Sequence, residues 1–168
     1  MQLEEFFDYK NQLMKELCCN DTIVHLVTDK EDSKVPNHTL PYSQIYPYEF
    51  VPETVDIGQT FICFDVDIQY QYITNKTFYY PILYVWIFTH KSKLKLPEGG
   101  VRTDAIAAEI DKMLNGSRVY GLGELNLNNC ERFSPIIDYQ GRVLAYTGKD
   151  FNRAGSKVPP ANRKHPNS

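Results

Sequence analysis

No run in this sequence of 168 residues approaches the roughly 20 consecutive apolar residues of a membrane helix. The first residues, Met1-Gln2-Leu3-Glu4-Glu5, are acidic where a secretory signal is basic. The matches to the glycosylation pattern at Asn37, Asn75 and Asn115 therefore read as chance. Cysteine is scarce. Cys18 and Cys19 are neighbours, whose mutual bond would be strained, and neither Cys63 nor Cys130 completes a C-x-x-C pair. Free thiols in a reducing compartment are expected. Zinc ligation by Cys18, Cys19 and His25 fits no familiar spacing. Excess positive charge is also missing. The net charge is −3 and the pI about 5.8, which argues against affinity for nucleic-acid backbones.

What is present is ordinary in bulk, with 42% hydrophobic and 23% charged residues, and the length suits one domain. Aromatics reach 13%, including twelve tyrosines, a residue that suits interfaces and half-buried sheets alike. The most informative stretch is Tyr79 to His90. It reads as a strand that does not alternate. Leu83, Val85 and Ile87 share one face, while Ile82, Tyr84, Trp86 and Phe88 share the other. A one-sided antiparallel sheet has a polar outer face. This strand needs cover on both faces, and full cover would make Trp86→Ala cost about 3–5 kcal/mol.

Along the chain, residues 3–19 read as a helix from the spacing of Leu3, Phe6, Leu13 and Leu17. Asn20 or Asp21 caps a second short helix, Thr22 to Val27. Prolines 36, 41, 47 and 52 then punctuate Tyr42, Tyr46, Tyr48 and Phe50, so residues 28–59 read as an extended aromatic arm with one short strand at Tyr48 to Val51. Thr60 to Ile68 is a strand with Cys63, Asp65 and Asp67 on one face, forming a hairpin with residues 80–90. Thr103 caps a helix whose Ile106, Ile110, Met113 and Leu114 make an apolar stripe ending at Asn115-Gly116. Leu122 to Leu127, Arg132 to Asp138 and Val143 to Thr147 read as strands, with Tyr139 to Arg142 as a turn. Residues 1–152 thus form one α+β domain, an antiparallel sheet on N-terminal and central helices. Residues 153–168 form a basic flexible tail, in which Arg153, Lys157, Arg163 and Lys164 are unopposed by any acid. The rest of the chain then carries about −7, since the whole carries −3.

Reactive constellations are thin. Asp65 and Asp67 share a strand face and are a candidate Mg²⁺ pair, but no motif ties Glu109 or Asp111 to them. Gly121-x-Gly123 lacks the helix of a dinucleotide loop. Ser117, Ser134 and Cys130 lack a spaced His/Asp context. No catalytic, cofactor-binding or metal residue is expected. The candidate contacts with partners are Tyr42, Tyr46, Tyr48, Tyr84, Trp86, Phe88 and the four cations of the tail.

The order of elements resembles the small neck proteins of long-tailed bacteriophages, above all the tail terminator (tail-completion) family. Val51-Pro52-Glu53-Thr54-Val55 leading into Thr60–Ile68, then Ile82–His90, carry the resemblance. So do Gly99-Gly100-Val101-Arg102-Thr103-Asp104, Gly121 to Leu127, and Tyr139-Gln140-Gly141-Arg142, over residues 3–152. Similar proteins are encoded in phages and prophages of Gram-positive gut bacteria. The resemblance implies a non-enzymatic virion protein, assembled in the host bacterial cytoplasm without a membrane. It forms a homo-oligomeric ring, commonly a hexamer, that caps the tail tube and docks the head connector. Its partners are other copies, the tail tube protein and the head-closure (connector) protein, with genome DNA passing through without sequence-specific binding. The alternatives are a head-closure (stopper) or head–tail adaptor protein and, from another class, a small metal-dependent nuclease.

Overall fold

A computed structural model describes residues 5–29, 39–52, 58–69 and 78–151. The chain begins with helix α1, Glu5–Cys19, which buries Tyr9, Leu13 and Leu17 along one stripe. Helix α2, Asp21–Thr28, is capped by Asn20, whose side chain accepts the Ile23 N–H at 3.1 Å. Asp29 closes α2 in the left-handed conformation, φ 59°. Both helices match the sequence expectation to within a residue or two of its bounds.

Strand β1, Ile45–Tyr46, is the strand in the described part of the arm, displaced from the expected Tyr48 to Val51. Pro47 ends it, because proline cannot donate to a ladder. β1 runs parallel to strand β2, Thr60–Gln69, and the Gln44 carbonyl accepts the Ile62 N–H at 2.9 Å. β2 pairs antiparallel with strand β3, Phe78–His90, from Thr60↔Thr89 to Gln69↔Tyr80. The buried hydroxyls of Thr60 and Thr89 meet at 2.8 Å across this pair. A short 3₁₀ turn, Lys91–Lys93, leads toward helix α3, Arg102–Leu114. Thr103 does not cap α3: Val101 occupies that position without a side-chain bond, and Thr103 is buried in the first turn.

The last third corrects the expected strands. Gly121 and Gly123 have φ +70° and +77°, values that break an extended run, so Leu122 and Leu125 are buried from a bent loop. Strand β4 is Asn126–Phe133 and strand β5 is Tyr139–Thr147. The turn lies before Tyr139, where the Ser134 hydroxyl donates to the Tyr139 carbonyl at 2.7 Å and Tyr139 N–H donates to Ile136. Residues 139–142, expected to turn, belong to β5. A short strand β6, Asp150–Phe151, pairs with the start of β3.

The result is α+β, a mostly antiparallel sheet in the order β1-β2-β3-β5-β4, covered by the helices on one face. Ile62, Phe64, Val66, Leu83, Val85, Ile87, Leu144 and Tyr146 point into that inner layer against α1, α2 and α3. The tie that sequence reading missed is Arg102, only 3% exposed. Its guanidinium donates to the carbonyls of Lys93 at 2.8 Å and Leu26 at 2.7 Å, and to Asp29 at 2.7 Å. One side chain thus satisfies an orphan carbonyl at the end of α2 and anchors the start of α3.

Candidate functional site

The outer face of the sheet is divided in two. At the end near His90, the arm returns over the strands. Tyr46 stacks on Phe50 at 4.0 Å, Phe50 lies 5.4 Å from Phe61, and Phe61 lies 5.5 Å from Phe88. Tyr139 meets Phe88 edge-on at 5.9 Å, and Phe133 adds a further ring at 5.8 Å. This is a second small core, built by one chain.

The other half of the outer face has no such lid among the described residues. Register places Trp86 beside Val143 and Tyr84 beside Ala145, and Ile82 follows on the same face. All five are half-buried, and the rings of Tyr84 and Trp86 lie 5.7 Å apart at 21°. Acids flank the strip. Asp65 sits opposite Tyr84, and Asp67 opposite Ile82. Glu131 sits opposite Val143 on the other side. The result is an apolar strip with a polar rim, the anatomy of a contact surface.

The two lateral edges of the sheet differ. On the β2 side, the Asp65 carboxylate accepts the neighbouring Val66 N–H at 2.8 Å and pairs with Lys10 of α1 at 2.7 Å. Lys10 also donates to the Pro47 carbonyl at 2.9 Å, so α1, β2 and the arm are tied together there. This edge is blunted by a charge pair. On the opposite side β4 is the outermost strand, exposed along its length up to Phe133, with one register shift between Leu127 and Asn129. Beyond it the turn presents Ile137, 80% exposed, while Ile136 packs into the outer core. The sequence signal for this knob is an isoleucine doublet beside Pro135, where one of the pair must face out.

The expected contact residues therefore separate. Tyr84 and Trp86 lie in the open strip. Tyr42, 62% exposed, and Tyr48 are available, with rings 6.4 Å apart. Tyr46 and Phe88 are corrections: both are buried under the chain's own aromatic layer, so neither presents its ring to a partner. Arg153, Lys157, Arg163 and Lys164 lie outside the described residues.

The acid pair has a structural occupation. Asp65 is engaged by Lys10, and α3, which carries Glu109 and Asp111, packs on the opposite face of the sheet. Asp111 accepts the Tyr146 hydroxyl at 3.0 Å and Glu109 pairs with Lys112. Among the described residues no three of His, Cys, Asp and Glu are grouped to hold a metal ion. Asp65→Asn with Asp67→Asn should change stability by no more than about 1 kcal/mol, since the Lys10 pair is half-exposed. A Mg²⁺-dependent cleavage of DNA by the protein, lost in that double variant, would assign the pair a catalytic role instead.

The four cysteines are free thiols. Burial pushes Cys18 up to about 11 and Cys63 up to about 12. Both are thus protonated at neutral pH, which makes them poor nucleophiles. Cys19 and Cys130 are exposed. A thiol reagent at pH 8 should therefore label Cys19 and Cys130 quickly, and Cys18 and Cys63 only after unfolding. Fast labelling of Cys63 would show that the outer core opens.

A family model described as YomW matches residues 11–148, which run from within α1 to the end of β5. The comparison with curated proteins and that with solved structures each return no match.

Proposed function

The chain belongs to the YomW family, which is phage-derived, and as a phage-associated protein we propose that it is a structural subunit of the phage neck. In this reading it forms a ring that caps the tail tube, ends tube polymerisation and joins tail to head. The observation that carries the reading is the open strip of Ile82, Tyr84, Trp86, Val143 and Ala145 on a face already apolar along β3. A sheet face meant for water is polar. The exposed β4, outermost in the sheet among the described residues, continues the same surface, and strand addition is a recurrent way to join subunits. Because the opposite edge is blunted, the contact is heterologous, and such contacts close into rings when the rotation allows.

The partners in this reading are further copies in a ring, commonly six, the tail tube protein and the head-closure protein. Genome DNA passes through the channel without sequence-specific binding. The site of action is the virion neck, after assembly in the host bacterial cytoplasm. No helix among the described residues is long and apolar enough to cross a membrane. A stopper or adaptor role would use the same surface.

Trp86 is the only tryptophan and reports on the strip directly. In the isolated chain Trp86→Ala should cost about 1–2 kcal/mol, below the value for full burial, because the side chain is half-exposed. On assembly its emission should shift to the blue, and Ala145→Arg should block assembly while circular dichroism stays unchanged. Assembled rings with unshifted emission would remove this face from the interface. Within a phage, loss of a terminator leaves tails of uncontrolled length. Tails of normal length beside unjoined heads would select the stopper or adaptor.

A further inference from the structure

The β2 margin of the sheet is only partly covered. β1 accompanies β2 at Ile62 and Cys63, and from Phe64 to Gln69 no strand lies on that side among the described residues. A cleft of about 430 Å³ opens there between β2 and α1, lined by Phe6, Phe7, Lys10, Asp65 and Val66. Phe7, 73% exposed, stands at its wall. Lys10 marks a definite level on this margin. Its ammonium spans the Asp65 carboxylate at 2.7 Å and the Pro47 carbonyl at 2.9 Å, one residue past Tyr46, the partner of Cys63.

The opposite margin matches it row by row. Across the sheet, Val66 pairs with Leu83, Leu83 with Tyr146, and Tyr146 with Leu127. Val66, Leu83 and Tyr146 are buried under the helices, while Leu127, at the β4 end of the row, is 37% exposed. A second row runs on the outer face from Cys63 through Trp86 and Val143 to Glu131. Each step from β2 to β3, β5 and β4 is antiparallel, so β2 and β4 run in opposite senses. A second copy placed alongside in the same orientation therefore brings its β4 antiparallel to β2, and the rows continue into the next sheet. One displacement then makes two matches. Leu127 arrives at Val66 and the phenylalanine cleft, and Glu131 arrives at the level of Lys10. An apolar side chain meets an apolar cleft, and a carboxylate meets an ammonium. We propose that the cleft of Phe6, Phe7 and Val66 receives Leu127 of a neighbouring copy, with Glu131 of that copy on Lys10. This contact presupposes the assembly reading and supplies the surface that receives β4. The Asp65 carboxylate already takes the Val66 N–H at 2.8 Å, so side chains make the contact and not a continuous ladder.

The test uses full-length chains with Cys19→Ser and Cys130→Ser, which remove the two exposed thiols and leave the buried Cys18 and Cys63. One batch adds Phe7→Cys and another Leu127→Cys. Copper phenanthroline in air passes the electrons of a thiol pair to oxygen and leaves a disulfide, which forms only between thiols in close contact. A mixture of the batches should give covalent dimers that join position 7 of one chain to position 127 of the other. Neither batch alone should give them, because the contact is heterologous. Glu131→Lys in the Leu127→Cys chain should lower the mixed yield about two- to fivefold, and in the Phe7→Cys chain it should not. No link in the mixture, links formed as readily in either batch alone, or a yield indifferent to which chain carries Glu131→Lys would overturn the proposal. Ala145→Arg then decides the wider reading. If it still blocks assembly, that reading stands and only this contact falls; if the chains never associate, both fall.

Discussion

Gly141→Ala should destabilise the protein by more than about 4 kcal/mol, the largest effect of any single methyl group in this fold. Gly141 pairs with Phe88 in the β3–β5 ladder, at the centre of the sheet. A Cβ there would fall 1.7 Å from the Ile87 carbonyl oxygen and 2.7 Å from the Phe88 Cα. Both are backbone atoms, so no rotamer change relieves the clash. β5 would have to move off β3, and the ladder from Ile82↔Thr147 to His90↔Tyr139 would loosen with it. The cause is space and not backbone conformation, because Gly141 does not have positive φ. Urea unfolding followed by circular dichroism measures the loss. A change below about 1 kcal/mol would show that the two strands separate more easily than their contacts imply.

Arg102→Ala should cost about 2–4 kcal/mol, because it strands the buried Leu26 carbonyl and the part-buried Lys93 carbonyl and leaves a void at the junction of α2 and α3. The carbonyls of Leu26 and Lys93 lose their donors, while Asp29 is half-exposed and keeps Lys93 at 3.8 Å. Asp29 therefore contributes the smaller share of the loss. Arg102→Lys keeps the charge but not the fork and should recover only part of the stability. Thermal unfolding of the two variants separates these effects. Full recovery with lysine would mean that charge, and not the geometry of the guanidinium, holds the helices.

Much of this protein was legible in its sequence because the signals are local. Helical spacing of Leu13 and Leu17, the Asn20 cap and the alternation of Thr60 to Ile68 each depend on neighbours a few residues apart. The same holds for the two-sided character of β3, whose side chains alternate whatever lies above them. The class followed from these elements, an α+β fold with a central hairpin. So did the expectation that the outer face matters. The order of those elements also led to a phage protein, in keeping with the family the chain belongs to.

What covers that outer face was a tertiary decision. The arm's tyrosines read in the sequence as contacts with a partner. Only the return of Tyr46 and Phe50 over Phe61 and Phe88 puts half of β3 inside and leaves Tyr84 and Trp86 half-open. Residues 139–142 looked like a turn because glycine favours one, yet close approach by β3 asks for the same residue. Arg102 gave no signal at all, since its partners at Leu26 and Asp29 lie more than seventy residues earlier in the chain. The pattern of apolar residues determines which faces must be buried, but long-range packing alone decides what buries them.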